Sequence, residues 1–177
     1  MKSFKTLAAG LVLLAAVSTF AQNKSAVSDV SVSATLPETL TVSLDQSAVT
    51  FALTAGSATN PGNTPIVATT TWALAAGRTD LKLYAYFDTA AAALSLGATN
   101  IAGTTITAKV GGISVGNFAT DLSLPGTGLT IFDQALTAGT LSGTKNSSVT
   151  LNIDLTSLPA LPVGAYTGTL HFMAEAI

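Results

Sequence analysis

Cysteine is absent from all 177 residues. No disulfide, thiolate metal site or cysteine nucleophile therefore belongs to this chain. Histidine occurs once, as His171, which excludes sites built from paired imidazoles. Charge is scarce as well, at 9% of residues against roughly a quarter in ordinary soluble domains. The few basic residues form no patch or run, and so offer no surface for phosphates, nucleic acid or an anionic membrane. Glycine is plentiful, yet no glycine-rich loop sits between a strand and a helix to cradle a phosphate. Long apolar runs are also lacking. The longest, over residues 7–17, falls short of the roughly 20 residues a membrane-crossing helix needs.

That run reads as a leader. Lys2 and Lys5 precede it, and Thr19 and Ala21 follow as the small residues a signal peptidase recognises. The expectation is cleavage after Ala21, a mature chain of residues 22–177 folded as one domain, and no membrane span within it. Removing Lys2 and Lys5 leaves five basic against nine acidic residues, a balance of −4. Export places the chain in a periplasmic, cell-surface or extracellular setting. There, packing or association must stand in for disulfides.

What the chain has in abundance is alternation. Leu40, Val42 and Leu44 alternate with Thr39, Thr41, Ser43 and Asp45, and Val149, Leu151, Ile153 and Leu155 with Thr150, Asn152, Asp154 and Thr156. Near the end, Tyr166, Leu170, Phe172, Ala174 and Ala176 face one way, with Thr167, Thr169, His171 and Glu175 opposed. A period of two marks strands with one buried and one wet face. Weaker strand signals are SDVSVSAT, AVTFAL, IVATTTWAL, LKLYAYF, TITAKV and GLTIF. Turn residues in TNPGNTP, AKVGG, LPGTG, LSGTKNS and SLPALPVG separate them. No helical crossovers intervene, and no repeat of solenoid length occurs. The fold class is all-β, an antiparallel Ig-like sandwich. One connection, DTAAAALSL, reads equally as a short helix capped by Asp88 or Thr89 or as a loop.

Catalytic chemistry has little to work with. His171 sits on the outward side of its strand, and no G-x-S-x-G elbow occurs. The nine carboxylates are scattered singly, without the spacing of a calcium loop. No enzyme activity, cofactor or metal is expected. Aromatics are more informative. In LKLYAYFD, Leu81, Leu83, Ala85 and Phe87 share one face, while Lys82, Tyr84 and Tyr86 share the other. With the first set inward, Tyr84 and Tyr86 form a wet pair able to stack on sugar rings, as a cell-wall polysaccharide module would need, or to pack on another subunit. Trp72, Phe87, Tyr166, Leu170 and Phe172 are the expected structural core.

Two stretches resemble known families. Trp72-Ala73-Leu74 is a W-x-L triplet on a strand, and LPVGAYTGTLHFMAEAI is similar to the C-terminal segment of the bacterial WxL surface domain, with Phe172-Met173-Ala174 where a second triplet would stand. The same ending resembles pilin-like subunits of the chaperone–usher and spore-coat U type, with Gly164 at the position of their glycine. Both resemblances imply a secreted, non-enzymatic β-sandwich with a structural or adhesive role at the cell surface. Its partners would be further copies through strand edges, or surface polysaccharide.

Overall fold

The computed structural model describes residues 27–120 and 128–177. The expected leader therefore lies outside the described residues. The chain forms β1 (Thr39–Leu44), β2 (Asn60–Pro61), β3 (Ile66–Ala73), β4 (Asp80–Phe87), β5 (Leu94–Leu96), β6 (Thr99–Ile101), β7 (Ile106–Val110), β8 (Ile113–Asn117), β9 (Leu129–Ala135), β10 (Ser142–Ile153) and β11 (Leu170–Ala176). All pairings are antiparallel. One sheet runs β1-β3-β10-β7-β8, with β2 also on β10, and a second runs β11-β4-β9. β5 and β6 form a small hairpin of their own. This is an all-β sandwich.

The alternation explains the layers. On β10, Val149, Leu151 and Ile153 are buried while Ser148 and Thr150 are exposed, and on β3 Ile66, Ala68, Thr70 and Trp72 are buried. From the second sheet, Leu81, Leu83, Ala85 and Phe87 of β4 meet them. Phe87 packs edge-on against Phe118, with ring centroids 5.1 Å apart. The turn between β7 and β8 is the pair Gly111-Gly112, both at positive φ (55° and 88°). Those signs suit a two-residue turn whose twist matches its strands, and only glycine adopts them cheaply.

Several expectations change here. Residues Leu36–Ile177 form one compact unit, and SDVSVSAT, read as a strand, lies in none. A strand needs an edge to pair with, and this alternating stretch has no strand partner among the described residues. The alanine-rich connection is a single 3₁₀ turn, Ala90–Ala92, that passes directly into β5. Its run of alanines is too short to repay helix nucleation. AVTFAL contributes only one bridge, Phe51 to Gly62.

Candidate functional site

β1 and β11 run beside each other at one side of the sandwich. Among the described residues each pairs on one side only, β1 with β3 and β11 with β4, so there both carry an edge without a strand partner. All seven residues of β11 are half-buried. Leu170 and Phe172, expected in the core, pack against it only in part, as does Tyr166. The reason is position, since an edge strand is covered from one flank. Tyr166 instead closes a local turn, its hydroxyl donating to the Pro162 carbonyl at 3.0 Å. Trp72 and Phe87 are buried at 5% and 4% exposure. The Trp72 indole N–H donates to the Thr140 carbonyl at 2.9 Å.

The two ends of this side differ. Where β1 begins, Arg78 clasps both sheets. Its Nε and Nη2 donate to the Glu38 carboxylate at 3.1 and 2.9 Å, and its Nη1 donates to the Ala176 carbonyl at 3.2 Å. Glu38 also accepts the Ala75 N–H at 2.7 Å. The Arg78 hydrogen bonds, then the Ala75 N–H, hold the Glu38 carboxyl down to about 2 from its ordinary 4.5. A lowered carboxylate stabilises the fold above its unfolded pKa and loses that contribution as pH falls through the folded one. The clasp should therefore matter above pH 4.5 and fade towards pH 2. Exposed pairs contribute little, so Arg78→Ala should lower the melting temperature by only a few degrees at neutral pH. In melting curves across that window, the gap to the parent should narrow but not vanish, because the bond to Ala176 does not titrate. A gap that is unchanged at pH 2 would contradict this assignment.

At the other end, beyond Leu44 and before Leu170, the sheets part. A slot of about 230 Å³ opens there, walled by Phe51, Ile66, Ile106, Leu151, Leu170 and Phe172, with Gln46, Ser47 and Thr169 as polar members. None of its lining residues is charged.

The outer face of the second sheet differs from the expected tyrosine platform. Tyr84 is buried at 4% exposure, and burial pushes its phenol above the ordinary value. Gly128, just before β9, lies close to the roots of both tyrosines, where an added Cβ would stand 3.2 Å from that of Tyr84 and 3.5 Å from that of Tyr86. The β4–β9 register also slips between Leu83 and Tyr84, leaving Ile131 and Phe132 consecutively buried on β9. Tyr86 is half-buried, stacked on His171 with centroids 5.0 Å apart. The His171 Nε2 lies 3.3 Å from Asp88 Oδ1, at an angle that makes no hydrogen bond. One face of Tyr86 is thus already taken. Tyr84→Ala should cost about 2 kcal/mol or more, as a buried ring does, and Tyr86→Ala under about 1.5. Urea unfolding of the two single variants checks this, and equal costs would contradict the burial difference.

Sequence reasoning missed the slot, the Arg78 clasp and Asn60. Asn60 is buried and satisfied. Its amide donates to the Ser57 and Ile153 carbonyls, its oxygen accepts the Thr54 N–H, and its own N–H donates to Asn152. Asn is ordinary in turns, so no local signal marks it. Among the described residues no group of three His, Asp or Glu is placed to hold a metal ion, and no helix is long and apolar enough to cross a membrane. No family model, curated protein or solved structure matches the chain.

Proposed function

We propose that the chain is an exported, non-enzymatic β-sandwich with a structural or adhesive role at the cell surface, joined to other copies through its strand edges. The observation that carries this reading is β11, seven half-buried residues with one edge lacking a strand partner among the described residues, beside an apolar slot. Such an edge is a template for pairing with another chain. Further support comes from where the polar chemistry lies. Glu38–Arg78, Lys82–Asp133 and Asp88–His171 are partly exposed pairs, and none of these six residues lines the slot. The leader-like start, the resemblances to WxL and pilin-like proteins and the low charge favour the surface setting. Polysaccharide binding through a Tyr84–Tyr86 platform draws no support from this geometry, because one ring is covered and the other is stacked.

The test combines location and association. Protein recovered outside the cytoplasm should begin at Gln22, and its sedimentation coefficient should rise with concentration. A chain that keeps Met1 in the cytosol and stays monomeric at every concentration would remove the reading.

A further inference from the structure

The slot between the sheets is out of keeping with a packed sandwich. Its volume is about 230 Å³, whereas close-packed interiors hold few voids larger than a water molecule. Ile66, Phe87, Ile106 and Leu151 are buried and form its floor, and Phe51, Leu170 and Phe172 are half-buried walls. A water molecule needs roughly two to four polar partners, and these side chains offer none. Water held there is poorly bonded, so an apolar group that displaces it gains on entry.

One wall is also set in advance. Residues 46–49 line the slot, and the chain is pinned on both flanks of them. The Asp45 N–H donates to the Val67 carbonyl at 3.2 Å, and the Asp45 carboxylate accepts the Val67 N–H at 2.7 Å. On the other flank the Thr50 N–H donates to Asn63 Oδ1 at 3.0 Å, and the Asn63 N–H donates to the Thr50 carbonyl at 2.9 Å. A pocket formed before its ligand arrives loses little to ordering on binding.

Charge and size specify the occupant. The lining carries no charged residue, and its polar side chains are Gln46, Ser47 and Thr169. Among the described residues these three side chains make no hydrogen bond, which leaves them to take a polar head. A charged head of either sign would shed water with no opposite charge in the lining to replace it. An apolar cavity of ~150 Å³ holds the six carbons of benzene, about 25 Å³ each, so the slot takes about nine heavy atoms. We infer that the slot binds a neutral single-chain amphiphile, an aliphatic alcohol of about eight carbons. Its tail lies between the sheets and its hydroxyl bonds to Gln46, Ser47 or Thr169. This is a small-molecule site, and it does not rest on the association of copies.

Amide chemical shifts of the mature chain, followed through a titration with n-octanol, test this. Saturable shifts should gather at Gln46, Ala48, Thr169 and Leu170 and spare the Arg78 clasp at the opposite end. Each methylene from n-butanol to n-octanol should tighten binding about fourfold, roughly 250-fold over the series. With n-decanol the gain should stop, because the slot is full. n-Octanoate and n-octylammonium should bind about tenfold more weakly than n-octanol, or worse. Ala48→Trp, at an exposed position of the slot lining, should melt like the parent and lose the n-octanol shifts. The alcohol series on the parent reads the site whether or not that variant folds. Shifts that never saturate, or that lie away from the slot, overturn the inference. Affinity that keeps climbing with n-decanol also overturns it, since that marks an open apolar surface. So does equal affinity for the charged heads, or a folded Ala48→Trp variant that binds n-octanol like the parent.

Discussion

A chain lacking residues 164–177 is expected to be insoluble or degraded on expression. The deletion removes β11, which pairs with β4 from Leu170–Phe87 through Ala176–Leu81, and leaves that sheet with two strands, too few for independent stability. It also uncovers a flank of β4, whose Leu81 and Leu83 are fully buried in the parent. Phe172 alone, half-buried on the edge, would cost less than the roughly 3–5 kcal/mol of a fully buried aromatic. The loss of the whole strand is what exceeds the usual 5–15 kcal/mol of a domain. Removing only residues 176–177 is a milder change, though not a neutral one. The Ile177 N–H donates to the Asp80 carbonyl at 2.9 Å, and its own carbonyl accepts from Thr79 at 2.6 Å, so this end is tied down rather than frayed. Soluble yield and a circular dichroism melt distinguish the cases. A soluble long deletion that melts like the parent would remove β11 from the account of stability.

Trp72→Ala is expected to have the largest effect of any single substitution considered. Trp72 is 5% exposed, and its ring packs so closely on β10 that a Cβ at Gly143 would stand 2.8 Å from Cζ2. Truncating a buried ring of this size costs roughly 3–5 kcal/mol through lost transfer energy and the cavity left behind. It also deprives the Thr140 carbonyl of the indole N–H, an addition of about 1 kcal/mol. Trp72→Phe should fall between the two, keeping much of the packing but not the hydrogen bond. Urea unfolding should be followed by circular dichroism, because the substitution removes the only tryptophan. A change below about 0.5 kcal/mol, the size of an ordinary surface substitution, would show that the ring does not hold β3 and β10 together.

How far the sequence could be read depends on what each pattern encodes. Alternation encodes direction. It therefore marked the inward faces of β3, β4 and β10 through Trp72, Leu83 and Val149. It does not encode cover. Tyr84 and Tyr86 both point away from the interior, yet Tyr84, beside the register slip, is buried while Tyr86 is only half-buried. Nor does it encode whether a partner edge exists. Val30 and Val32 carry as clean a period as Val149 and Leu151, but only the latter pair lies on a strand flanked by neighbours. The half-burial of Leu170 and Phe172 has the same origin, since sheet order is a property of distant segments. The Arg78 clasp joins residues 40 and 98 positions apart, beyond the reach of any local motif.

Amide-resolved hydrogen exchange, compared between dilute and concentrated mature protein, tests the central claim most directly. If copies join through the open edge, concentration should slow exchange along β11, while β3 and β10, already paired within the sheet, change little. Unaltered exchange at residues 170–176 in associated protein, or protection confined to the β8 and β9 side, would contradict it.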